Sequence, residues 1–97
     1  MMNKEKLLDI LRKYKNERAN YYGIITIGIF GSTARGDAHE ESDVDIVLRI
    51  REPDLFMLVG IKEELEERLH RPVDIVTYRD NMNLFLKKRI DEEAVYA

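Results

Sequence analysis

The sequence predicts an α/β (α+β) fold, a small mixed β-sheet flanked by helices. Three observations carry the prediction. Apolar runs rich in Val and Ile occupy Ile24–Phe30, Val44–Ile50 and Val73–Thr77, the length and composition of buried strands. Between and around them lie stretches whose apolar residues recur at intervals of three and four, the mark of amphipathic helices. Finally, Asp43, Asp45 and Asp74 stand where the second and third runs begin, so three acids must share the ends of two strands.

In chain order, Asn3 to about Arg18 reads as the first helix, with Leu7, Leu8, Ile10, Leu11 and Tyr14 on its apolar side. Asn20 to Gly23 is read as a turn into the first strand. That strand barely alternates, which predicts cover on both faces, and Gly28 within it marks a close backbone approach or a packing gap. Gly31 and Ser32 end the run in a tight turn, and one helical turn is expected from Ser32 to about Gly36. Asp37 to Glu41 is polar, a loop by composition, with His39 as a solvated loop residue and Ser42 as a turn or cap. Within Val44–Ile50, Val44, Ile46 and Leu48 face the core, leaving Asp43 and Asp45 on the opposite side.

Pro53 suits the first turn of a long helix to Leu69, with Leu55, Leu58, Ile61, Leu65 and Leu69 as its buried stripe. The charged run from Lys62 to Arg68 is read as the solvated side of that helix, and Arg68, His70 and Arg71 as complements to its dipole. Pro72 stops the helix. A final helix is expected from about Asn81 to Tyr96, with Lys87, Lys88 and Arg89 as a surface patch.

Composition sets limits. At 97 residues, positions 1–97 are read as a single small domain. A formal net charge of −3 gives no electrostatic case for nucleic acid as a partner. The chain has no cysteine, which excludes a disulfide framework and a thiolate zinc site and fits a reducing compartment. The first residues are charged throughout and lack the apolar core of a signal peptide, and no apolar run approaches membrane-spanning length. The expectation is a cytoplasmic domain without a membrane partner.

Side chains at i and i+2 of a strand share a face, with Cα atoms roughly 6.5 Å apart. Asp43 and Asp45 therefore repel one another unless a cation lies between them, and an all-oxygen pair suits Mg²⁺ or Mn²⁺. A Gly-Ser turn opposite carboxylates is an arrangement suited to a metal-bound nucleoside triphosphate, with N–H groups and a hydroxyl for phosphates. For the Gly31–Ser32 turn to meet Asp43 and Asp45, the first two strands should be antiparallel neighbours. For Asp74 to join them, the second and third strands should be parallel, linked by the long helix in a right-handed crossover. Asp45 and Asp74, expected to be buried within apolar runs, would be costly without partners.

Gly31-Ser32-Thr33-Ala34-Arg35-Gly36, then five residues, then Ser42-Asp43-Val44-Asp45 resembles the GSxARGx₅SDxD signature of nucleotidyltransferases of the DNA polymerase beta superfamily. The likeness is nearest to the minimal nucleotidyltransferases (MNT), whose partners are HEPN-domain toxins, and it extends to Asp74 as the third carboxylate. It implies a polymerase-beta-like palm core and two metal ions held by Asp43, Asp45 and Asp74. Gly31 and Ser32 would hold the phosphates of ATP. Arg35 is open between phosphate contact and pairing with Asp37 or Glu40, and Asp74 between general base and ligand. Thr33 and Ala34 receive no role. The resemblance implies transfer of AMP from ATP to a hydroxyl of a HEPN-domain partner, a tyrosine by analogy, making the chain an antitoxin. Competing readings are a small-molecule (antibiotic) nucleotidyltransferase acting as a homo-oligomer, an antitoxin that acts by occlusion, and a domain with incidental acids.

Overall fold

The computed structural model describes residues 3–36 and 43–97. The readings of Asp37, His39, Glu40 and Ser42 lie outside the described residues. Helix α1 spans Lys4–Tyr22, β1 Ile24–Ile29, α2 Gly31–Arg35, β2 Val44–Ile50, α3 Leu55–Leu69, β3 Val73–Thr77, α4 Leu84–Glu93 and β4 Val95–Tyr96. The strands form one sheet in the order β3-β2-β1-β4. β1 runs antiparallel to β2, β2 parallel to β3 across α3, and β4 antiparallel to β1. The first two relations are those the acids required.

Each helix has a local reason to start and stop. Asn3 accepts from Lys6 N at 2.8 Å to open α1, and Gly23, at φ 72°, closes it. The helix therefore continues through Asn20–Tyr22, where a turn was expected, because the left-handed cap rather than the polar residue before it ends the spiral. Asp54 caps α3 by accepting from Met57 N at 2.9 Å, which leaves Pro53 just outside the helix instead of in its first turn. His70 adopts the left-handed conformation at φ 55° that closes α3.

The buried line of α3 steps by four from half-buried Met57 through Ile61, Leu65 and Leu69. Leu55 falls off that line and is 73% exposed, so the expected stripe is corrected at its first member. The main core lies between α1, α3 and one sheet face, around Leu11, Tyr14, Ile27, Ile46, Leu48 and Leu65. At about 25 cal/mol per Å² of apolar surface, burial of this kind is the main stabilising term. A smaller core on the other face joins Phe30 and Val47 to Ile90 of α4.

The charged run of α3 is not wholly solvated. Glu64 accepts from Tyr14 Oη at 2.9 Å and Tyr22 Oη at 3.0 Å, and Glu66 accepts from Val73 N at 2.9 Å. Arg68 pairs with Glu17 and lies 5.0 Å above the Tyr14 ring, so it joins α1 to α3 beyond any dipole effect. A helix packed against both a sheet and a second helix uses more of its circumference than one stripe. The last helix also ends early: at Ala94 the chain turns extended and adds β4 to β1. Among the described residues, no helix is long and apolar enough to cross a membrane.

Candidate functional site

The second sheet face carries the acids. Val47 packs with Phe30 and Ile90 beneath α4, so Asp45 and Asp43, two and four residues before it, emerge on that side. Register pairs Asp45 with Asp74 directly across the parallel β2–β3 ladder, where neighbouring strands lie about 4.8 Å apart. Asp43 and Asp74 are exposed and Asp45 is half-buried, so the expected burial of Asp74 is corrected: the start of the edge strand β3 opens to solvent. Burial, then the charge of Asp74 and more weakly that of Asp43, push the Asp45 carboxyl above its usual range against the opposing effects of Ser32 and Arg89.

The turn meets one of these acids, Asp45. Phe30 N donates to Asp45 O at 3.2 Å, carrying the chain into α2 beside β2. Gly31 has φ 60°, and a Cβ built there would lie 3.0 Å from Asp45 Oδ2, so both conformation and space favour glycine. Ser32 Oγ donates to Asp45 Oδ2 over a long 3.4 Å. Thr33, given no role from sequence, is buried, and its Oγ1 accepts from Asp45 N at 3.0 Å, tying α2 to the start of β2.

The Arg35 guanidinium pairs with Glu93 of α4; the partners expected from sequence, Asp37 and Glu40, lie outside the described residues. Arg89, one turn before Glu93, donates from Nε to Glu93 Oε2 at 3.2 Å. Within the Lys87-Lys88-Arg89 surface patch, Arg89 lies on the side of α4 facing the turn. Sequence carried no signal for Glu93 or Arg89, since only the docking of α4 says which of its sides overlooks the acids. Among the described residues, no three acidic, histidine or cysteine side chains converge closely enough to form a complete metal cage. The donor set is nonetheless all carboxylate, on adjacent positions of one face, with mutual repulsion that a hard cation relieves.

Residues 6–97 match the family model described as a nucleotidyltransferase domain. The protein adenylyltransferase MntA of Thermococcus cleftensis is 36% identical over 97 residues, covering 99% of this chain and 97% of that one. A solved structure described as a minimal nucleotidyltransferase superimposes with a TM-score of 0.79 at 32% identity, covering 97% of this chain and 95% of that one. A chain from the complex of tri-AMPylated Shewanella oneidensis HEPN toxin with MNT antitoxin shares the fold, with a TM-score of 0.62 at 21% identity over 97% of this chain and 67% of that one.

Proposed function

The chain belongs to the nucleotidyltransferase-domain family, as a minimal nucleotidyltransferase of the DNA polymerase beta superfamily, and from that premise we propose that it transfers AMP from ATP to a hydroxyl of a protein partner. The observation that carries the reading is the pairing of Asp45 with Asp74 on one face, opposite the Gly31–Ser32 turn. In this reading residues 1–97 act as one domain, the partner is a HEPN-domain toxin, and the modified hydroxyl belongs to tyrosine. The name of the Thermococcus relative supports AMP transfer to a protein, and the HEPN–MNT complex supports the choice of a HEPN-domain partner.

Asp43, Asp45 and Asp74 are the residues that would hold Mg²⁺ or Mn²⁺, with triphosphate oxygens completing a ligand set the carboxylates alone do not close. The bound ions would neutralise the triphosphate and lower the pKa of the acceptor hydroxyl. Gly31 leaves room for a phosphate to approach the backbone, and Ser32 Oγ, now on Asp45, can turn to donate to it. Arg35, held by Glu93 at the end of α2, adds positive charge beside the phosphates. Asp74, exposed on the edge strand, stands where an acceptor can arrive and can take the hydroxyl proton. The acceptor oxygen bonds to the α-phosphorus, the α–β phosphoanhydride bond breaks, and pyrophosphate leaves.

The test incubates the chain and its HEPN partner with labelled ATP and Mg²⁺, followed by intact mass. Asp45→Asn should bind the partner and leave it unmodified. Wild-type transfer by Asp45→Asn would overturn the carboxylate mechanism, and full neutralisation of the toxin without transfer would make occlusion the function.

A further inference from the structure

Lys87, Lys88 and Arg89 are contiguous in sequence but separate in space. The Lys87 ammonium donates to Asp80 O at 3.2 Å and lies 5.9 Å from the centre of the Tyr78 ring, while Lys88 is exposed. Arg89 turns the other way. A Cβ built on Gly31 would lie 4.0 Å from Arg89 Nη2 and 3.0 Å from Asp45 Oδ2, so the glycine lies beside both a guanidinium and a carboxylate. Arg89 Nε is held by Glu93 at 3.2 Å, and Glu93 also receives Arg35 from α2. These two hydrogen bonds hold the Glu93 carboxylate below its usual range although burial opposes them, so it stays ionised as their anchor.

An arginine anchored through Nε still offers its Nη groups as a planar fork, the shape that matches two phosphate oxygens. The fork lies against Gly31, a backbone position where a side chain would stand in the way. The ion pair with Glu93 alone would not require this, because an exposed i, i+4 pair needs no target beyond its partner. Arg89 is 43% exposed, so its guanidinium has room to shift from Asp45 toward a ligand.

We propose that Arg89 is a triphosphate-binding residue, gripping the phosphates beyond the α-phosphate at the Gly31–Ser32 turn, with Glu93 as the positioning residue that aims it. The inference rests on the nucleotidyltransferase reading and adds a contact from α4, outside the Gly-Ser and carboxylate motifs. Because Arg89 would touch only the part of ATP that leaves as pyrophosphate, its loss should change the discrimination between ATP and AMP rather than nucleotide binding in general.

The experiment measures binding of ATP and AMP, each with Mg²⁺, by calorimetry to the unaltered chain and to Arg89→Gln, Arg89→Lys and Glu93→Gln, with a thermal melt of each. Arg89→Gln should lose about tenfold or more in ATP affinity with AMP affinity unchanged. Arg89→Lys should recover part of the loss, because it keeps the charge without the fork, and Glu93→Gln should lose less than Arg89→Gln. A wild-type ATP-to-AMP affinity ratio in folded Arg89→Gln overturns the proposal. If Arg89→Gln does not fold, a wild-type ratio in Arg89→Lys overturns it. Failure of the unaltered chain to prefer ATP over AMP overturns the nucleotidyltransferase site itself, a result distinct from the loss of Arg89's part in it.

Discussion

Replacing Gly28 with alanine tests whether the short fourth strand organises the site. Gly28 pairs with Val47 on one side and Tyr96 on the other. An added Cβ would lie 2.6 Å from Val95 O, 2.9 Å from Tyr96 Cδ1 and 3.0 Å from Tyr96 Cα. Two of these atoms are backbone, so rotation of a side chain cannot relieve the clash, and β4 must lift. Lifting it strains the Ala97 N to Ile27 O hydrogen bond of 2.9 Å along with the β1–β4 pairing. Overpacking of this kind costs about 1–3 kcal/mol. Alanine offsets part of that, about 0.5–1 kcal/mol, by restricting the unfolded chain. The net expectation is a loss of up to about 2.5 kcal/mol, and each kcal/mol lowers Tm by about 4–8 °C in a domain of this size.

Activity should fall further than stability does. β4 follows directly from α4, which brings Glu93 to Arg35 and Arg89 to the Gly31 turn, so a displaced β4 carries those contacts away. Thermal melts, paired with AMP transfer at a temperature where Gly28→Ala is fully folded, separate the two effects. An unchanged Tm with unchanged transfer would refute the reasoning, because it would mean that β4 does not press on β1 as drawn.

Leu65→Ala removes a side chain with no exposed surface from the centre of the α3 contact and should cost about 2–5 kcal/mol in urea unfolding; a change within about 0.5 kcal/mol would misplace the helix. Asp45→Asn should raise Tm at neutral pH in the presence of a chelator, because the raised Asp45 carboxyl makes the folded chain bind its proton more readily than the unfolded chain does. The contribution of Asp45 to the stability of the unaltered chain is then fully present below the ordinary value of 3.8 and is lost as pH rises through the raised folded value, so the advantage of Asn should vanish in acid; equal melts at neutral pH would show that Asp45 is not strained.

The strands were legible because their signals are local. The bounds of β2 and β3 match the apolar runs, and the relative directions of β1, β2 and β3 followed from requiring Asp43, Asp45 and Asp74 to meet the Gly31–Ser32 turn. What sequence missed depends on long-range contact. Val95–Tyr96 lacks the length of a strand signal and exists only because Gly28 lets it approach. From sequence Gly28 is open between a close backbone approach and a packing gap, with no partner named. Thr33 looks like any residue in a short turn until its hydroxyl is seen to accept from Asp45 N. Arg89 sits in a basic triplet whose composition is that of a surface patch, and helical periodicity cannot say which side of α4 overlooks the turn. Leu55 was placed in the buried stripe because its spacing fits a step of three to Leu58, whereas the packed line steps by four.

The juxtaposition of Asp45 with Asp74 is unfavourable by itself, so something else must fix the β2–β3 register. Strand alternation supplies it. Val73 is buried and Ile75 half-buried against the main core, which leaves Asp74 and Val76 on the α4 side. A slip of one residue would relieve the paired carboxylates, but it would pass Val73 and Ile75 to the wrong face and bring Asp74 into the core. A slip of two keeps the faces yet moves Val73 N away from Glu66, which now accepts from it at 2.9 Å, and breaks the hydrogen bond from Val44 N to Pro72 O at 2.9 Å. Either slip loses more than the repulsion between two partly solvated carboxylates, whose interaction is weakened by water. The hydrophobic pattern of β3 and the end of α3 thus hold two like charges side by side, and the strain they leave in Asp45 is available to a cation.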